Sequence, residues 1–239
     1  TDTEGAVAFT LDFSDESGNA ATTVTAVTDA TSVTFDRTAP TATAVSIASN
    51  NATTSVAKTG DIIIVSFTVD DDLLATPTAT IDGQAATVAV SGAHPKYTAT
   101  YTTIGTTTEG AIAFSLDFSD EAGNAATQVT AVTDASSVTF DKTAPTATAV
   151  SIASNNADTS VAALGDEITI SFTVDDTVDA TPTATIQSQT ATVAVAGAHP
   201  NYTAKYTMLV TDTEGAVSFT IDFNDEAGTA ATQVTAVTA

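Results

Sequence analysis

Between Gly60 and Asp70 the apolar residues Ile63, Val65, Phe67 and Val69 occupy every second position, with Ile64, Ser66 and Thr68 between them. A period of two puts all four on one face of an extended strand. The same period runs through Tyr97, Ala99 and Tyr101 against Thr98, Thr100 and Thr102, and through Ile112, Phe114, Leu116 and Phe118 against Ala113, Ser115 and Asp117. Shorter alternating runs cover residues 41–47, 77–81, 85–90, 126–132 and 137–140, and no stretch shows helical spacing. Turn formers separate the runs: Ser49-Asn50-Asn51, Asp70-Asp71-Asp72, Asp82-Gly83 and Asp120 to Asn124. Asp-Gly between two short strands predicts a hairpin. Seven or so strands at intervals of about 8 to 15 residues predict an all-β, Greek-key β-sandwich, with an up-and-down barrel as the weaker alternative.

The pattern repeats. Glu4, Glu109 and Glu214 lie 105 residues apart; the same offset relates Asp36-Arg37-Thr38-Ala39-Pro40 to Asp141-Lys142-Thr143-Ala144-Pro145, and Ala93-His94-Pro95 to Ala198-His199-Pro200. A period this long is a whole domain, well above the roughly 20 to 50 residues of solenoid repeats. Residues 1–37 correspond to the C-terminal part of a unit, 38–142 to a complete unit, and 143–239 to a unit lacking its last few residues, the counterpart of residues 136–141. The expected arrangement is a linear array of sandwich domains. A lone hairpin is marginal in water, so the partial copy needs a partner, from a longer chain or from another chain by strand addition.

Thr, Ala, Val and Ser dominate the 239 residues, a composition suited to pleated strands. The formal charge is −24, from 29 acidic residues against Arg37, Lys58, Lys96, Lys142 and Lys205. That balance argues against nucleic acid and anionic membrane surfaces, which require clustered Lys and Arg, and favours inorganic cations or simple solubility. The chain has no Cys, hence no disulfide and no thiolate chemistry. No apolar run reaches the roughly 20 residues of a membrane span.

Four elements of the unit carry a family resemblance: Asp-x-Thr-Ala-Pro at its boundary, Gly60-Asp61 before the long strand, Tyr97-Thr98-Ala99-x-Tyr101, and Phe118-Ser119-Asp120-Glu121-Ala122-Gly123-Asn124. The unit resembles the bacterial immunoglobulin-like tandem repeats of large secreted and surface-anchored proteins, including the extender regions of giant adhesins. The resemblance implies Ig-like sandwich domains, an extracellular or cell-surface location, and frequent Ca²⁺ binding where domains join.

In such a sandwich the loops after the second, fourth and sixth strands gather where the linker arrives, and here those loops are acidic. The candidate ligands at the first junction are Asp36, Asp70, Asp71, Asp120, Glu121 and Asn124, with Glu4 from the preceding copy. At the second they are Asp141, Asp175, Asp176, Asp179, Asp225 and Glu226, with Glu109 from the preceding unit. Ca²⁺ takes about six to eight oxygen ligands, which carboxylates from several loops can supply; Mg²⁺, with its tighter octahedron, ranks lower. The copies differ: Asp72 becomes Thr177, Leu74 becomes Asp179, Asp82 becomes Gln187 and Asn124 becomes Thr229.

Catalysis is not expected. His94 and His199 fall once per unit, and no Gly-x-Ser-x-Gly, His-Glu-x-x-His or phosphate loop occurs. Tyr97, Tyr101, Tyr202 and Tyr206 alternate with Thr-rich positions and are expected in the core, which disfavours a carbohydrate-binding module. Two functions remain. One is a non-enzymatic spacer whose partners are its neighbouring repeats; the other is a subunit of a filament, sheath or surface layer that pairs strands with copies of itself.

Overall fold

A computed structural model describes residues 2–92, 95–195 and 200–238; His94 and His199 lie outside them. The described residues form strands and turns, with no helix. In the first partial copy β1 (Gly5–Ala6) pairs antiparallel with β2 (Thr34–Phe35). Val7, Phe9, Leu11 and Phe13 alternate here as their counterparts do later, yet they stay exposed because no second sheet covers them.

Residues 42–140 build two facing layers. One is a four-stranded antiparallel sheet of β3 (Ala42–Ser49), β5 (Ile62–Val69), β9 (Lys96–Thr102) and β8 (Thr87–Val90), in the order β3-β5-β9-β8. The other contains β11 (Phe114–Asp117), β6 (Thr78–Ile81) and β7 (Gln84–Ala85), in that order. Beside it, β12 (Thr139–Phe140) pairs antiparallel with β10 (Gly110–Ala111) and parallel with β4 (Val56–Ala57). Inward residues of both layers share one core: Val45, Ile63, Val65, Phe67 and Tyr97 from the first, and Ile81, Phe114 and Leu116 from the second. The Phe67 ring stacks on Tyr97 at 5.5 Å and on Phe118 at 6.5 Å, which locks the layers together.

The second set of strands follows the first at the 105-residue offset: β13 (Ala147–Ser154), β14 (Glu167–Val174), β15 (Thr183–Ile186), β16 (Gln189–Thr190), β17 (Thr192–Val195), β18 (Asn201–Thr207) and β19 (Phe219–Asp222). The sheet orders are β13-β14-β18-β17 and β16-β15-β19, around a separate core that includes Val150, Ile170, Phe172, Tyr202 and Ile221.

Three expectations are refined. The alternating run 85–90 is two strands: Gln84–Ala85 completes the Asp82-Gly83 hairpin with β6, and the chain then crosses to the opposite sheet, where Thr87–Val90 pairs with β9. The run 126–132 forms only one isolated bridge, Leu116 to Val129, with a second just before it between Ser119 and Ala125. The first strand is kinked by a bulge at Ala44, whose φ of 51° repeats at Ala149 as 50°. As expected, Tyr97 and Tyr202 are buried; Tyr101 and Tyr206 are half-buried, with their hydroxyls bonded to Thr107 and Asp212.

Candidate metal centre

The loops after the long strand and after β11 are strapped to each other by main-chain hydrogen bonds. Leu74 N donates to Ser119 O at 3.1 Å and Glu121 N to Asp72 O at 3.1 Å, bringing Asp71 and Asp120 to the same end of the unit. In the next unit Asp179 N donates to Asn224 O at 3.2 Å and Glu226 N to Thr177 O at 2.9 Å. The linker supplies a third carboxylate. It is fixed to the preceding unit, since Asp141 N donates to Ala57 O at 2.8 Å, while Lys142 N and Thr143 Oγ1 donate to Glu109 Oε1 at 3.1 and 2.6 Å.

Two clusters result, Asp36 with Asp71 and Asp120, and Asp141 with Asp176 and Asp225. In each, one oxygen from every carboxylate lies within 4.8 Å of the others. Carboxylate oxygens this close together can be reached by one metal ion. The backbone orients these side chains: Thr38 N donates to Asp36 Oδ1, Asp72 N to Asp71 Oδ1, Thr143 N to Asp141 Oδ1 and Thr177 N to Asp176 Oδ1, at 2.6 to 3.0 Å. Each carboxylate keeps a second oxygen.

Asp120 and Asp225 are both 1% exposed, yet their environments differ. Burial alone would push the Asp120 carboxyl up, but hydrogen bonds from the Asn124 side chain and from the N–H groups of Asn124, Gly123 and Ala122 hold it below the usual range. Burial pushes the Asp225 carboxyl up, opposed in part by the Thr229 N–H, and the charges of Asp141 and Asp176 add to the rise. Asp225 Oδ2 has no hydrogen-bond partner. The Thr229 hydroxyl also opposes the rise but does not reach hydrogen-bond geometry, and Thr229 Oγ1 is itself unpartnered. A buried carboxylate oxygen without a donor, beside two more carboxylates, suits a bound cation.

Other expected ligands are engaged elsewhere. Asp70 accepts from Thr41 N at 2.7 Å and from the Thr41 hydroxyl, and Asp175 does the same with Thr146; these bonds hold both carboxyls below the usual range. Glu4 and Glu109 cap the linkers and also lie low, chiefly through the hydroxyls of Thr38 and Thr143. Asn124 holds Asp120 in place, Asp179 meets Asn224 at 3.5 Å, and Glu121 and Glu226 are exposed outside the clusters.

Sequence reasoning missed two residues that bridge the units. Lys58 Nζ donates to Gly228 O at 2.6 Å, and Asn51 Nδ2 donates to Ala227 O at 2.8 Å and to Asp61 Oδ2 at 2.8 Å. Both receiving carbonyls belong to the turn that carries Asp225. The available signal was Lys58 itself, one of five basic residues in an acidic chain.

Elsewhere, a groove of about 850 Å³ runs past Ser154, Val161, Leu164, Ile168, Met208 and Val217. In the preceding unit the corresponding place is filled by β12, whose Phe140 is buried together with neighbouring Val138. No described helix is long and apolar enough to cross a membrane. No family model and no curated protein matches the chain.

Proposed function

We propose that the chain is a non-enzymatic spacer, built from tandem Ig-like Greek-key units of an extracellular bacterial surface protein or adhesin and stiffened by Ca²⁺ where the units join. The observation that carries this reading is the cluster of Asp141, Asp176 and Asp225, with Asp225 Oδ2 buried and unpartnered. Its ligands come from a linker and from two loops of the following unit. One divalent ion there would replace mutual repulsion of three carboxylates with attraction and tie the linker to that unit. The contacts of Lys58 and Asn51 with the Asp225 turn extend the same tie back to the preceding unit. The four-stranded order β3-β5-β9-β8 supports the reading, since it corresponds to the A-B-E-D sheet of an Ig-like unit.

Calorimetric Ca²⁺ titration of the chelator-stripped chain tests the sites. Two binding events are expected, with one lost in Asp176→Asn and the other in Asp71→Asn. A titration showing no binding would remove the stiffening role.

A further inference from the structure

The two centres share their ligand types, loop positions and linker geometry, but differ in what faces the buried carboxylate. Its orientation is common to both: Asn124 N donates to Asp120 Oδ1 at 2.8 Å, and Thr229 N to Asp225 Oδ1 at 2.7 Å. The second oxygen separates them. Asn124 Nδ2 donates to Asp120 Oδ2 at 2.8 Å, whereas Asp225 Oδ2 has no hydrogen-bond partner, because Thr229 replaces that amide with a shorter hydroxyl that stays outside hydrogen-bond geometry.

We infer that the centres are graded, with the Asp141–Asp176–Asp225 centre taking its divalent cation about tenfold more tightly than the Asp36–Asp71–Asp120 centre, and that the exchange of Asn124 for Thr229 sets the difference. This rests on the reading of both clusters as cation sites. In the first centre a cation shares the second Asp120 oxygen with an amide that already satisfies it. In the second it meets an oxygen removed from water with no donor, so binding also relieves the penalty of that unpaired group. A tenfold ratio corresponds to about 1.4 kcal/mol, within the range for leaving one buried acceptor unpaired. Lys58 works against this order, since its ammonium lies on the Gly228 carbonyl near the second centre. That charge is half-exposed and screened, whereas the oxygen touches the ion directly. The two units would therefore stiffen in sequence as Ca²⁺ rises, the second junction first.

The test is a Ca²⁺ titration of the whole chelator-stripped chain, following the backbone amide signals of Asn124 and Thr229 separately by NMR. The Thr229 signal is expected to reach half-saturation at about one-tenth of the Ca²⁺ concentration needed at Asn124. In Thr229→Asn the second centre should weaken to match the first. In Asn124→Thr the first should tighten, a gain that a damaged fold would not produce. Simultaneous or reversed filling overturns the grading while leaving both clusters as cation sites; silence of both signals overturns the cation reading itself, and the grading with it.

Discussion

Lys58 donates to the main-chain carbonyl of Gly228 at 2.6 Å across a sequence separation of 170 residues. Gly228 has a φ of 81° and closes the turn that begins at Asp225, so the bond reaches from one unit to the acidic centre of the next. Lys58→Met keeps most of the aliphatic stem and removes the donor. The last unit is expected to lose about 1 kcal/mol, seen as a melting transition lower by about 4 to 8 °C. Asn51→Ala should act in the same direction, since it removes the bond to Ala227.

A second expectation concerns the hairpin turn. Asp82 and Gly83 have φ values of 50° and 69°, the left-handed pair required by a tight hairpin, and Gln187 and Ser188 adopt the same conformation at 51° and 64°. Ser188 bears a Cβ where its counterpart has none. Ser188→Gly should stabilise the last unit by about 1 kcal/mol, and Gly83→Ser should cost the first unit a similar amount, measured by denaturant midpoints.

Acid should unfold the chelator-treated protein in a defined window. Glu109, Asp166, Asp70 and Asp175 are all held below the usual range by hydrogen bonds in the folded state. A depressed carboxyl contributes stability above its unfolded pKa and loses it as pH falls through the lower folded value. Asp225 runs the other way: its raised carboxyl is a cost at neutral pH that eases on protonation. Melting temperature should therefore change little from neutrality to about pH 5 and drop steeply below about pH 4. In Asp166→Asn the drop should be shallower.

The groove beside Val161 and Val217 gives a fourth expectation. Ala239 is the counterpart of Asp134, so appending the sequence of residues 135–142 after it places a Val-Thr-Phe strand where Val138 to Phe140 lies in the preceding unit. Burying one Val and one Phe should raise the stability of the last unit by about 3 kcal/mol. Thermal melts of the extended and unextended chains make the comparison, and an extension carrying Ser at both apolar positions should give no gain.

Alternation of apolar residues revealed the long strands because burial on one face leaves a period of two, as at Ile63 to Val69. It overstated residues 126–132, where the alternation is real but only one isolated bridge forms, at Val129. It also merged Gln84–Ala85 with Thr87–Val90, since a strand that changes sheets keeps its apolar rhythm. At the junctions, sequence identified the acidic loops but not the division of labour within them. Asp70 and Asp71 are adjacent and chemically identical; only the fold shows that the first caps Thr41 and the second joins Asp36 and Asp120. Lys58 and Asn51 were hidden because hydrogen bonds between units leave no periodic trace.

The central claim, a junction made stiff by a cation, is tested most directly by the distance across the second joint. Spin labels placed at exposed Thr87 and Thr192, one in each unit, report that distance by pulsed electron resonance. With Ca²⁺ the distribution should be narrow; with chelator it should broaden, and Asp176→Asn should broaden it even with Ca²⁺ present. An equally narrow distribution in all three conditions would contradict the account.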